Sequence, residues 1–173
     1  MHPAPWRSQR GSLPFFSDLL GVGDAEAVRV AVTRMDHFPS DWDLPAYQTP
    51  GSAAADLRNA GPAVTLASLE RTLVPTGLRV AIPPGFEGQV RPRSGLAMRR
   101  GLTLPNTPGT IDSDYRGEIL VPMVNLDAAP RTIGHGERIA QLLIAPVARL
   151  VWDETADLPE TERGEGGFGS TGR

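Results

Sequence analysis

The chain has 173 residues, 40% hydrophobic and 21% charged, which suits one compact domain with a usable core. Its 19 glycines and 17 prolines are too many for a helical protein, and the lack of cysteine excludes disulfides, thiolate nucleophiles and cysteine-ligated zinc. A formal net charge of −3 advertises no nucleic-acid surface, and no apolar run approaches the roughly 18–20 residues of a membrane span.

The N-terminus, Met-His-Pro-Ala-Pro-Trp-Arg, lacks the apolar stretch of a secretory signal, so a cytoplasmic protein is expected. All 17 cations are arginine. Any phosphate bound here therefore meets planar guanidinium groups or backbone amides, and a Walker-type phosphate loop, which needs its lysine, is excluded.

Residues 1–27 carry Pro, Gly and Ser without sustained periodicity and are expected to form an N-terminal extension. Phe15, Phe16, Leu19 and Leu20 could make one helical turn that docks on the body. From Val28 the pattern changes: Val28, Val30 and Val32 alternate with Arg29, Ala31 and Thr33, as in a half-buried strand. Similar short runs follow at 63–66, 77–82, 86–90, 119–124 and 138–147. Turn clusters separate them: Thr49-Pro50-Gly51-Ser52, Pro83-Pro84-Gly85, Asp127 to Pro130, and Gly134-His135-Gly136. Pro122 interrupts a strand-like run, which predicts an edge or a bulge there.

Only Ser94–Arg100 reads as a helix, about two turns long, with Ser94 as its candidate cap. No strand–long-helix–strand alternation is present, so a doubly wound sheet is not expected. The fold class expected is all-β, a sandwich or jelly roll with one short helix. Residues 28–157 would form the domain and 158–173 a C-terminal arm.

That arm ends Arg-Gly-Glu-Gly-Gly-Phe-Gly-Ser-Thr-Gly-Arg, residues 163–173, with five glycines and almost nothing to bury. Ordering such a segment carries a large entropic cost. Two readings stand: an idle tail, or an arm that closes over a ligand with its single phenylalanine, Phe168. Gly164, Gly166 and Gly169 match G-x-G-x-x-G, but that pattern binds dinucleotides only between a strand and a long helix.

Three groups of residues can carry chemistry. Asp112 and Asp114, two residues apart, either share a strand face or straddle a turn, with Tyr115 beside them. They read as an acidic turn, or as a base with a flat apolar wall. In Arg91-Pro92-Arg93-Ser94-Gly95-Leu96, the helix start would offer free amides to an anion beside Arg93 and the Ser94 hydroxyl. The alternative is a capped surface turn. In Gly136–Leu142, Arg138 and Gln141 interrupt an apolar strand and could simply face outward. His2, His37 and His135 fall in no constellation and are expected at the surface.

Taken in order, these segments resemble the trimeric dUTPase family over almost all of residues 28–173. Ser52 to Leu57, ending Asp56-Leu57, resembles the first of five family motifs, although Ala54-Ala55 replace its usual Ala-Gly and large residue. Arg93-Ser94-Gly95-Leu96-Ala97 resembles the second. Asn106 with Gly109-Thr110-Ile111-Asp112-Ser113-Asp114-Tyr115-Arg116-Gly117 is similar to the third, and Gly136-Glu137-Arg138-Ile139-Ala140-Gln141 to the fourth. Arg163 with Gly166-Gly167-Phe168-Gly169-Ser170-Thr171-Gly172 resembles the fifth.

The resemblance implies a homotrimeric jelly-roll, or β-clip, enzyme that converts dUTP to dUMP and pyrophosphate with Mg²⁺. It implies Asp112 as the base that activates water. Tyr115 would pack on deoxyribose, and Asn106, Gly109, Thr110 and Ile111 would form the uracil-reading hairpin. Arg93, Ser94, Gly95 and Gln141 would hold phosphates. Phe168 would stack on uracil, while Arg163, Gly169, Ser170 and Thr171 would cover the γ-phosphate. The metal would be held by phosphates and water, with Asp56 as a candidate behind that water or, alternatively, an ion-pair partner of an arginine. No nucleic acid or membrane partner is implied. A dCTP deaminase of the same fold and a non-catalytic nucleotide-binding trimer are the competing readings.

Overall fold

The computed structural model describes residues 27–167. Among them are ten strands and one helix. One four-stranded sheet has the order β1 (Ala31–Arg34), β4 (Arg71–Ala81), β8 (Glu118–Asn125), β6 (Leu102–Thr103). The second has the order β2 (Ala55–Arg58), β10 (Arg138–Pro146), β5 (Phe86–Pro92), β7 (Gly109–Ile111). β3 (Val64–Leu66) and β9 (Arg131–Ile133) form a separate pair. Every pairing is antiparallel. The expected all-β fold with one short helix is what forms.

One apolar core joins the sheets. Val74, Leu78 and Val80 of β4 and Ile119, Val121 and Met123 of β8 point inward at strand period. Leu57, Val90, Ile111 and Ile139 meet them from the second sheet. Leu57, Leu66, Met123, Ile133 and Ile139 are almost wholly removed from water. Each such side chain contributes about 1.5–3 kcal/mol by leaving water. Polar residues inside are paired: the Asn59 amide donates to the Pro62 and Gly134 carbonyls and accepts from Gly61 N–H. Asn125 does the same for Leu66, Ala129 and Asp127.

The periodic stretch from Val28 joins a ladder only at Ala31. Its partner β4 ends at Ala81, paired with Ala31, and Pro83-Pro84 follow, so no further partner exists for Val28 and Val30. Val30 packs against the core without strand pairing. Pro122 lies within β8, but β6 pairs only with Val124 and Asn125. The β6 side of Pro122 is thus beyond the ladder, as its missing N–H requires.

The helix α1 spans Ser94–Arg100 as expected, but Ser94 is not its cap. The N-cap is Arg93, at φ −90° and ψ 122°, and no side chain caps the helix. Ser94 is already helical, and a capping residue must be extended. The other end stops at Gly101, φ 62°, whose N–H bonds the Ala97 carbonyl. A side chain there would lie 2.7 Å from the Asp127 amide, so glycine is required twice over.

Candidate active site

β7 is the edge strand beside β5, with Thr110 opposite Gln89 and Gly109 opposite Val90. It ends at Ile111, and the chain turns at once: Tyr115 N–H donates to the Asp112 carbonyl at 3.1 Å. Asp112 and Asp114 therefore straddle a turn rather than share a strand. This places Asp112, Tyr115, Asn106, Gly109, Thr110 and Ile111 around one cavity of about 190 Å³. All six are residues of the third sequence motif. Gly109 and Ile111 are buried in its floor, while Asn106, Thr110, Asp112 and Tyr115 reach solvent. Among the described residues no side chain bonds the Asp112 carboxylate.

The Tyr115 ring is fixed from two directions. Its hydroxyl donates to the Glu118 carbonyl at 2.9 Å. Its underside lies on Gly117, where a Cβ would stand 2.3 Å from the tyrosine oxygen. Arg79 Nε donates to the Arg116 carbonyl at 2.6 Å, and Arg116 itself bonds the Ser113 and Tyr115 carbonyls at 2.7 Å each. Arg116 thus braces the turn and does not line the Asp112 cavity. Glu118, to which the sequence assigns no role of its own, also lines the cavity.

A second cluster forms on the outer face of the same sheet. Asp56 pairs with Gln141, and Gln141 with Arg91, across three neighbouring strands. Side chains directly opposite share a face. Asp56 is 7% exposed and receives Arg93 Nε at 3.2 Å, an Arg138 nitrogen at 3.1 Å and Gln141 Nε2 at 3.4 Å. A buried carboxylate needs such partners, because an unpaired buried charge is costly. Arg93 also donates to the Arg138 carbonyl at 3.0 Å, and Gln48 accepts from Arg138 at 3.3 Å. Beside them, Ser94 and Gly95 occupy the first turn of α1, where amides have no place in the helical ladder. The Arg99 guanidinium lies across Gly95, 2.7 Å from where a Cβ would be.

The hollow at this cluster is lined by Ser52, Asp56, Arg91, Arg93, Arg138 and Gln141, among others, and shares no residue with the Asp112 cavity. β5 separates them: Val90 lines one, Arg91 and Arg93 the other. The arrangement is a base-sized apolar cavity next to an acid, with a separate guanidinium-rich cradle.

The dUTPase family model matches residues 40–172. The chain is 55% identical over 151 residues to a deoxyuridine 5'-triphosphate nucleotidohydrolase of Methylocella silvestris, covering 86% of this chain and 94% of that protein. It is 56% identical over 146 residues to one of Anaeromyxobacter sp. (strain Fw109-5), covering 84% and 99%. The chain belongs to the dUTPase family. The structure of a Staphylococcus bacteriophage 80alpha dUTPase with dUPNHPP superposes with a TM-score of 0.74 at 25% identity, over 84% of this chain and 99% of that one.

The rest of the family's motif residues lie apart from either hollow or beyond the described chain. Arg163 sits in a turn, with Nε donating to the Gly166 carbonyl at 2.7 Å and Gly164 at φ 49°. Phe168, Gly169, Ser170 and Thr171 lie outside the described residues, as do Phe15, Phe16, Leu19, Leu20 and His2. His37 and His135 are exposed as expected, but both have partners. His37 Nε2 lies 2.8 Å from Glu118 Oε1, and His135 stacks on Trp42 with centroids 5.0 Å apart. No sequence spacing connects positions that distant; only the fold does.

Proposed function

We propose that the protein hydrolyses dUTP to dUMP and pyrophosphate, and so limits uracil in DNA and supplies dUMP for thymidylate synthesis. The observation that carries the reading is the placement of Asp112 at the rim of the cavity whose wall is the braced Tyr115 ring. Asp112 orients a water and takes its proton as the oxygen bonds the α-phosphorus. The bond from that phosphorus to the departing pyrophosphate breaks. An acid suffices as base because charge stabilisation carries most of phosphoryl transfer.

Tyr115 packs on C2′ of deoxyribose and leaves no room for a ribose hydroxyl. The Asn106–Ile111 segment crowds C5, where thymine carries its methyl, and Asn106 matches the O4 and N3–H pattern of uracil. A site built this way rejects the wrong base by leaving its own polar groups unpaired. The cavity is smaller than the 300–1,000 Å³ of a typical whole-ligand pocket, so it suits base and sugar and leaves the phosphates to other walls. Arg93, Ser94, Gly95 and Gln141 take the phosphates.

Among the described residues Asp56 is the only carboxylate lining the cradle, and its oxygens face two arginines and Gln141. Among the described residues no group of three or more His, Cys, Asp or Glu could hold a metal. That donor set suits Mg²⁺ held by phosphates and water, the usual arrangement at triphosphates, with Asp56 behind the water. When bound, the ion neutralises charge on the phosphate oxygens.

The arm completes the site. Phe168 stacks on uracil, worth about 1–3 kcal/mol in comparable contacts. Arg163, Gly169, Ser170 and Thr171 cover the γ-phosphate and exclude water, so triphosphate binding offsets the cost of ordering the arm. The assembly is a homotrimer with each site built from more than one copy. Leu150, Val151, Trp152 and Leu158 follow β10 without joining a strand and stand 68–90% exposed, a run of apolar surface suited to another copy. The location proposed is the cytoplasm.

The test is pyrophosphate release from dUTP, dCTP, dTTP and UTP, compared under the same conditions with Mg²⁺. Release from dUTP alone is expected. Ammonia release from dCTP, or binding without turnover, would replace this reading by a deaminase or a non-catalytic nucleotide binder.

A further inference from the structure

Behind the Tyr115 ring stands a histidine–carboxylate contact that the hydrolysis itself does not require. Glu118 opens β8 and is 14% exposed; His37, in the turn after β1, is 40% exposed. His37 Nε2 approaches Glu118 Oε1 at 2.8 Å, and the same oxygen accepts Gly77 N–H at 2.7 Å. The backbone carbonyl of Glu118 accepts the Tyr115 hydroxyl. One residue therefore ties the tyrosine ring, through its backbone, to the turn after β1, through its side chain.

The receiving end is rigid. Gly77 sits at φ 69° where the β4–β8 register shifts between Pro75 and Arg79. A Cβ on Gly77 would come within 2.9 Å of Phe38 Cβ, so the His37–Phe38 turn is pressed directly on this bulge. Phe38 is buried in the core, and the Arg34 guanidinium covers its ring at 4.9 Å. Met35 N–H bonds the Gly77 carbonyl at 2.8 Å, and Phe38 N–H the Met35 carbonyl at 2.9 Å. His37 is thus presented from a fixed platform. Glu118 is mostly shielded from water, so losing the histidine would leave its carboxylate with the Gly77 amide as its one remaining partner here, and such a group shifts to regain solvation.

We propose that His37 is a positioning residue for the sugar gate: by donating to Glu118 it fixes the first residue of β8, and with it the Tyr115 ring against C2′. This rests on the reading above that Tyr115 packs on deoxyribose. The consequence is a selectivity effect rather than a loss of chemistry, because Asp112 enters the turn directly from the end of β7, which β5 holds in register.

The experiment measures kcat and KM for dUTP and UTP on the full chain, with wild type, His37→Ala, His37→Gln and Glu118→Gln. In His37→Ala the ratio of kcat/KM for dUTP over UTP is expected to fall roughly tenfold, the scale of one charge-assisted hydrogen bond, with kcat for dUTP little changed. His37→Gln keeps a donor of similar reach and should restore most of the ratio. Glu118→Gln keeps the acceptor but not the charge and should give a smaller fall, which serves as the reading if His37→Ala does not fold. An unchanged ratio in the folded variants overturns the proposal while leaving dUTP hydrolysis standing. A wild-type protein that does not hydrolyse dUTP removes the proposed function, and this inference with it.

Discussion

The Asp112 turn and the arginine cradle are built on opposite plans. The turn is finished on one chain: Tyr115 is held by Glu118 and Gly117, Arg116 by its own loop and by Arg79, and the cavity already has its floor. In the cradle, Arg93 and Arg138 are turned inward onto Asp56, and the chain after β10 presents exposed apolar residues to no partner of its own. Under the proposed function, the difference corresponds to what each region would meet. Uracil and deoxyribose are rigid and nearly neutral, and reading them rewards a preformed wall. A triphosphate is flexible and highly charged, and gripping it rewards groups that close on it and exclude water.

The largest expected effect falls on the unfinished region. Removing residues 163–173 should abolish turnover while circular dichroism and the melting temperature stay near wild type. Full activity in the truncated chain would erase the distinction between the two regions. Next, Asp112→Asn should lower kcat by roughly 10²–10⁴-fold, the usual general-base range, with little change in nucleotide affinity measured by calorimetry. Unchanged turnover would remove Asp112 from its role.

A smaller effect is expected from Gly117→Ala. A methyl 2.3 Å from the tyrosine oxygen forces the ring out of place, and kcat/KM for dUTP should fall about tenfold. Wild-type kinetics would mean that the ring is not preorganised after all. The smallest concerns the Asp127 turn, away from both regions. The hydrogen bond from Arg131, then that from the Ala129 amide, holds the Asp127 carboxyl below its ordinary value of 3.8. A lowered folded pKa contributes stability above the unfolded value, lost as pH falls through the folded one. The Tm difference between wild type and Asp127→Asn should therefore be present at neutral pH and shrink below about pH 4.

How much of this was legible in the sequence depended on length and on charge. β5, β8 and β10 are seven to nine residues long and their runs are readable, whereas of β4 (Arg71–Ala81) only the part from Gly77 onward reads as strand. β2, β6, β7 and β9 are two to four residues long, too short for a period to emerge. β2 is further disguised because Asp56 is buried beside its apolar neighbour Leu57, and Arg93, Arg138 and Gln141 from elsewhere in the chain explain it. The third motif was legible because its parts are contiguous: one strand end and one turn bring Asn106 to Tyr115 together. The support behind it was not. Glu118, His37 and Gly77 come from three segments and carry no local signal.

The division of one site between copies of the chain is tested most directly by mixing two inactive proteins. Asp112→Asn keeps the arm but lacks the base; the chain truncated at residue 162 keeps the base but lacks the arm. Unfolded together and refolded, they should recover dUTP turnover well above either parent, because some sites then take Asp112 from one chain and the arm from another. Mixed trimers that show no recovered turnover would contradict it, placing the base and its arm on the same chain.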